Sequence, residues 1–163
     1  MCGSFLTTRD DQVYLIHQSA KDYLSDARVS GTIFPSGPSA IHHKIFRESL
    51  QGLSDKLRRN IYDLNLDDPG VSASDIETLP PDRDPLFDLR YSCEYWLDHF
   101  LESNYKADIT ENRVISDFFR KHLLHWLESL SLIGEVRHGI LALRRLVYQQ
   151  QVREVTKCLT NTI

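Results

Sequence analysis

Apolar residues recur at steps of three and four over most of this chain, and form a short β-rich run only near its N-terminus. Phe5 and Leu6, then the polar turn Arg9-Asp10-Asp11-Gln12, then Val13 to Ile16 predict a β-hairpin over residues 4–17, an element that is marginal when isolated. Ser19 and Asp22, spaced as a capping box, predict the next helix, with Tyr23 and Leu24 as its first apolar contacts. The stretch SGTIFPSGP at 30–38 is rich in turn formers and predicts a connector. Pro38 then suits the first turn of a long helix. Ile41, Ile45, Phe46, Leu50, Leu53, Leu57, Ile61 and Leu64 form one stripe, with Lys44, Arg47, Glu48, Lys56 and Arg59 outside it.

Residues 66–83 carry Pro69-Gly70 and Pro80-Pro81 with no apolar period, so an exposed, mobile loop is expected there. Asp84-Pro85 has the form of a cap followed by a first-turn proline. After it, Leu86, Leu89, Cys93, Trp96 and Phe100 repeat at helical spacing, widened by Tyr95 and Leu97. Asp108 or Thr110 opens the following helix, whose stripe is Val114, Ile115, Phe118, Phe119, Leu123, Trp126, Leu127 and Leu130. Gly134 and Gly139 read as weak points. A last helix carries Val136, Ile140, Leu143, Leu146 and Val147, turns polar at Gln149-Gln150-Gln151, and is expected to fray before Ile163. The expected fold is mainly α: a short N-terminal hairpin, then a bundle or array of four to five amphipathic helices without a solenoid repeat.

Composition adds limits. At 163 residues, 41% apolar and 26% charged, the chain is long enough to bury a core and has the balance of a globular protein. A formal net charge of −4 gives no electrostatic reason to expect nucleic acid. No apolar run approaches the roughly 20 residues that span a bilayer, and no signal segment opens the chain, so the expectation is a cytoplasmic protein with no membrane partner. Cys2, Cys93 and Cys158 are odd in number and far apart, which favours reduced thiols over a disulfide framework.

The blocks CGSFLTTRDDQVYLIHQSAKDYL, IFPSG, HHKIFRESLQGLSDKLRRNIYDL, DPLFDLRYSCEYWLDHF and FFRKHLLHWLESLSLI occur in this order across residues 2–147. They resemble the segment just downstream of the nucleotide-binding domain in fungal NACHT NTPases, NLR-like signal-transduction proteins of the STAND type. The resemblance implies that residues 1–30 are the C-terminal part of a winged-helix-like unit and residues 31–163 a helical domain. It implies a NACHT nucleotide-binding domain and downstream repeats as partners within a parent protein, and ATP or ADP as a cofactor of an intact parent only. This chain holds no GxxxxGK[ST] loop and no acidic strand for Mg²⁺, so no enzymatic activity is expected of it. A chain opening almost inside a winged helix is expected to be a fragment or a decayed paralogue.

His17 is the residue of interest. The pattern Ile16-His17-x-Ser19-x-x-Asp22-Tyr23-Leu24 resembles the family segment whose histidine contacts a nucleotide phosphate in the closed resting state. Independently, an imidazole N–H beside a helix start adds a donor where an anion is already favoured. The competing reading is a ring satisfied by a local carbonyl, and the sequence leaves both open. His42-His43 and His122-x-x-His125 read as surface or boundary histidines rather than metal ligands, because adjacent residues diverge and no Cys or carboxylate lies at ligand spacing. Cys93 lies on an apolar stripe and reads as an inert core thiol. Tyr91, Tyr95 and Trp96 read as packing, since Glu94 and Asp98 oppose base stacking. Arg58-Arg59 and Arg144-Arg145 read as solvated helix faces. Two functions stand: a non-catalytic regulatory and scaffolding segment of a NACHT-type NTPase, coupling nucleotide state to downstream repeats, or a free-standing helical module that binds other proteins.

Overall fold

The computed structural model describes residues 6–9, 12–33, 35–64, 79–103 and 108–160. The protein is mainly helical. Strands β1 (Leu6–Arg9) and β2 (Gln12–Leu15) pair antiparallel with Leu6 opposite Leu15, Thr7 opposite Tyr14 and Thr8 opposite Val13. Six α-helices follow among the described residues: α1 (Gln18–Ser25), α2 (Ala27–Ile33), α3 (Gly37–Lys56), α4 (Arg90–Glu102), α5 (Ile109–Leu132) and α6 (Val136–Thr160). A 3₁₀ turn at Phe87–Leu89 leads into α4. The chain divides into two compact units, residues 1–41 and 42–163, and the division falls inside α3.

The first unit holds the hairpin, α1 and α2. Helix α2 occupies part of the stretch expected as a connector: after Asp26, in extended conformation at ψ 130°, the chain turns helical as far as Ile33 despite Gly31 and the β-branched Thr32. Local propensity is weak and was overridden here.

The second unit owns the large core. Phe46, Leu50 and Leu53 of α3, Cys93, Trp96, Leu97, Phe100 and Leu101 of α4, Ile115, Phe118, Trp126 and Leu130 of α5, and Ala142 and Leu146 of α6 are all buried. Trp96 is the hub. Its ring meets Phe46 at 6.2 Å, Phe118 at 5.2 Å, Phe119 at 5.7 Å and Trp126 at 5.6 Å between centroids, the last edge-on, which is the geometry that aromatic quadrupoles favour. Trp126 donates its indole N–H to the Cys93 carbonyl at 2.8 Å and so fastens α5 to α4.

The end of α3 and the core face of α6 depart from the sequence reading. Helix α3 ends at Lys56 rather than running to Leu64, and beyond it Asn60 and Asp63, both at φ of 51°, keep the chain in turns. The Asn60 side chain bonds both the N–H and the C=O of Leu64 at 2.8 Å, and the Asn60 N–H donates to Glu128 of α5. Ile61 remains buried although it sits in a turn. Within α6 the core-facing positions are Gly139, Ala142, Leu143 and Leu146, while Ile140 and Val147, read as part of the stripe, are 44% and 52% exposed. The helix runs through Gln149-Gln150-Gln151 to Thr160, and residues 161–163, where it was expected to fray, lie outside the described residues. Most of the segment expected to be a mobile loop, 65–78, lies outside the described residues; 79–83 form a turn in which Arg83 N–H meets the Pro80 carbonyl at 2.9 Å.

The two glycines have structural reasons. Gly134, at φ 79°, closes α5 in a Schellman arrangement: its N–H meets the Ser131 carbonyl at 3.3 Å, and Glu135 N–H meets the Leu130 carbonyl at 2.8 Å. Gly139 is no weak point. A Cβ there would run into Leu130 Cδ1 and come within 3.6 Å of the Trp126 ring, so its absence lets α6 approach α5.

Trp96→Ala and Trp126→Ala are each expected to cost about 3–5 kcal/mol in urea unfolding, the range for emptying a buried aromatic site. Gly139→Ala should also destabilise, by about 1–3 kcal/mol, because overpacking against the fully buried Leu130 outweighs the gain in helix propensity. A neutral or stabilising result at Gly139 would refute the close α5–α6 approach.

Candidate functional site

The first unit brings His17 to the junction between β2 and α1, where the strand ends at Leu15 and the helix begins at Gln18. His17 is itself the N-cap, with φ −153° and ψ 154°. Its Nδ1 accepts from the Ser19 backbone N–H at 3.2 Å and lies 2.9 Å from Ser19 Oγ, and its carbonyl accepts from Ala20 N–H at 2.9 Å. Ser19, expected as the cap, lies inside the helix, and Asp22 meets Gln18 Nε2 at 3.2 Å instead of closing a capping box. Histidine is not among the preferred caps, so sequence preference pointed two residues too far along.

The cap fixes the ring's chemistry. Nδ1 is an acceptor, so the neutral ring carries its proton on Nε2, and that N–H is the outward donor of an exposed side chain. The Ser19 and Ala20 amides are already committed to His17, which reduces what the helix start itself offers an anion. Val13, Tyr14, Leu15 and Ile16, which lead into His17, are 64%, 44%, 39% and 58% exposed.

The other histidines lie in the second unit and diverge as their spacing implied. His42 Nδ1 lies 2.8 Å from His99 Nδ1 of α4, whereas His43 Nε2 faces Glu111 of α5 at 3.2 Å. His122 and His125 have ring centroids 5.9 Å apart, and both Nδ1 atoms are buried with no hydrogen-bond partner among the described residues. Burial first, then the neighbouring His125, pushes His122 below the usual histidine range. His138 of α6 places Nε2 2.6 Å from Asp98 of α4, which also pairs with Arg145. Arg145, read as a solvated face, therefore helps to fasten α6 to α4. Cys93 is buried among core side chains, and burial pushes its thiol up to about 12, which leaves it without nucleophilic character. Among the described residues, no group of three or more His, Cys, Asp and Glu is placed to hold a metal ion, and no helix is long and apolar enough to cross a membrane.

Asp84 is a polar hub that the pattern marked only as a cap. Its carboxylate accepts from Tyr62 Oη at 2.6 Å, from Leu86 N–H at 2.9 Å, and from Arg90 Nε and Nη2 at 3.0 and 2.8 Å. Burial alone would push the carboxyl up, but the bonds from Tyr62, Arg90 and Leu86, with the Arg90 charge, hold it below the usual carboxylate range. Burial and the same contact raise the Tyr62 phenol.

No family model matches the chain. Over 163 aligned residues it is 37% identical to the vegetative incompatibility protein HET-E-1 of Podospora anserina, an alignment that covers 90% of this chain and 12% of that protein. The two are related. The chain thus spans about one eighth of the length of this relative. No solved structure matches it.

His17→Ala is expected to loosen α1 by about 0.5–2 kcal/mol, as cap losses do, whereas His17→Ser should retain most of the cap. Amide exchange across residues 18–25 measures this, and equal protection in His17→Ala and the parent sequence would exclude the capping role. Asp84 supplies the pH dependence. Its folded value is depressed, so its contribution to stability is present above the ordinary aspartate range and lost as pH falls through the folded value. Asp84→Asn should therefore flatten the acid limb of the stability curve.

Proposed function

We propose that this chain is a non-catalytic regulatory and scaffolding segment of a NACHT-type signal-transduction NTPase, and that it couples the nucleotide state of a parent protein to downstream repeats. The observation that carries the reading is similarity running along 90% of this chain to a stretch amounting to 12% of a much longer protein, with sequence blocks in the order seen in NACHT proteins. On this reading residues 1–30 are the end of a winged helix, residues 31–163 are the helical domain, and the protein is cytoplasmic.

His17 suits one contact in such a parent. Its Nδ1 is held by the helix start, so the ring cannot turn freely, and Nε2–H remains as a donor. A nucleotide phosphate, gripped by a phosphate loop elsewhere in the parent, would offer that donor an anionic oxygen. One neutral N–H fits as an ancillary contact and not as a binding site in its own right. A hydrogen bond to a charged group contributes roughly 1.5–3 kcal/mol. If it forms only in the closed state, its loss shifts the closed–open balance about tenfold or more.

A second reading, a free-standing helical module that binds other proteins, is favoured by the exposed apolar residues Ile140, Leu141, Val147, Tyr148 and Val152 on α6. The genomic sequence upstream of Met1 separates the two: an in-frame GxxxxGK[ST] belongs to the first reading, and a stop codon with no such loop belongs to the second. The chain as given should turn over no ATP above a buffer control. Turnover that survives repurification would refute a non-catalytic role. In a longer product carrying the loop, His17→Ser should weaken ADP binding without loosening α1; unchanged ADP affinity would remove His17 from the reading.

A further inference from the structure

We propose that His42 and His99 form a two-nitrogen site for a divalent transition cation, cupric ion above all, that ties α3 to α4. Both residues belong to the second unit and both are half-buried. Their Nδ1 atoms face each other at 2.8 Å across 57 positions of sequence, with the ring planes tilted by 40° and the centroids 4.9 Å apart. Two imidazole lone pairs cannot be held at that distance without a proton or a cation between them.

The separation, which an N–H···N hydrogen bond also has, is closer to one cation geometry than to another. With metal–nitrogen bonds of about 2.0–2.1 Å, adjacent ligands of a square-planar ion lie about 2.9 Å apart, whereas those of a tetrahedral ion lie about 3.3–3.4 Å apart. The observed 2.8 Å matches the square-planar arrangement. Cu²⁺ takes that tetragonal geometry, binds nitrogen most tightly in the divalent series, and would complete its coordination with solvent.

The outer side of His99 is also built for this. Its Nε2 lies 2.6 Å from Tyr91 Oη, a hydroxyl able to accept the ring N–H in the place that a carboxylate, carbonyl or water usually takes. The proton between the rings moves, on metal binding, to the outer nitrogen of the ring that carried it. Both rings then stay neutral, each with Nδ1 free to ligate.

The remaining described histidines lack these features. His138 faces carboxylates with both nitrogens, at 2.6 Å and 3.8 Å, and His43 faces Glu111. His17 spends Nδ1 on a cap, while the Nδ1 atoms of His122 and His125 are buried away from solvent.

The test is calorimetric titration of CuCl₂ into the full chain carrying Cys2→Ser and Cys158→Ser, which leaves Cys93 as its one thiol. One equivalent should bind, with an electron paramagnetic resonance spectrum of a tetragonal centre bearing two imidazole nitrogens. His42→Gln and His99→Gln should each weaken binding at least tenfold. Tyr91→Phe should weaken it about tenfold, as loss of an outer partner does. His138→Gln should leave it unchanged, and circular dichroism verifies that each variant is folded. Zn²⁺ should bind more weakly than Cu²⁺. Absence of stoichiometric Cu²⁺ binding by the starting chain would show that the pair is a hydrogen bond only. Equal binding by folded His42→Gln and His99→Gln variants would place the ion elsewhere, and either result overturns the proposal.

Discussion

The helical unit depends on one constraint: two helices must meet a single indole carried by a third. Trp96 is fully buried near the middle of α4, and the residues against it come from α3 and α5, on both sides of α4 in sequence. A flat ring with four aromatic neighbours fixes the rotation of each helix that touches it, because aromatic pairs favour offset and edge-on geometries over arbitrary ones. The Trp126 indole N–H has the Cys93 carbonyl, whereas the Trp96 N–H has no hydrogen-bond partner among the described residues. An unpaired buried donor costs about 1–3 kcal/mol, so the area buried around Trp96 outweighs a penalty that Trp126 avoids.

Polar contacts then lock the helices around this core. Arg47 and His43 of α3 share Glu111 of α5, Asn60 after α3 meets Glu128 of α5, and Asp98 of α4 takes both His138 and Arg145 of α6. Exposed ion pairs contribute little stability each. Their common property here is that each joins different helices, so a helix sliding by one turn would break several of them at once. Asp84, buried as Glu111 is, converges Tyr62, Arg90 and a backbone amide at the entry to α4.

Much of this core was legible because apolar spacing reports burial directly. The stripes read from Leu86 to Phe100 and from Val114 to Leu130 fall on buried core positions and on partly buried ones packed against them. The misreadings share a cause, since spacing marks large apolar residues and passes over small ones. In α6 the side against the core is Gly139 and Ala142, chosen for close approach, while the bulkier Ile140 and Val147 are exposed. A small-residue pair three apart was the available signal. The end of α3 was hidden for another reason: apolar residues continue at helical steps through Leu64, while the left-handed Asn60 and its two bonds to Leu64 keep the chain in turns. At the hairpin junction, cap preference favoured Ser19, yet the imidazole two residues earlier takes the amide.

That substitution bears on why a histidine stands there. Serine or aspartate would cap α1 at least as well, and each would end its chemistry at the cap. Imidazole is different, because its two nitrogens sit on opposite sides of a rigid ring. When Nδ1 accepts from Ser19, the second nitrogen must carry the proton and must face away from the helix start. Satisfaction by a local backbone group and presentation of a donor to a ligand are therefore not alternatives at His17, since they use different atoms. The local bond is what makes the outward one directional: it fixes the tautomer and restrains the ring. In the proposed regulatory role, the strand end, the cap and the outward N–H form a single unit, so any movement of α1 against β2 would carry the donor with it.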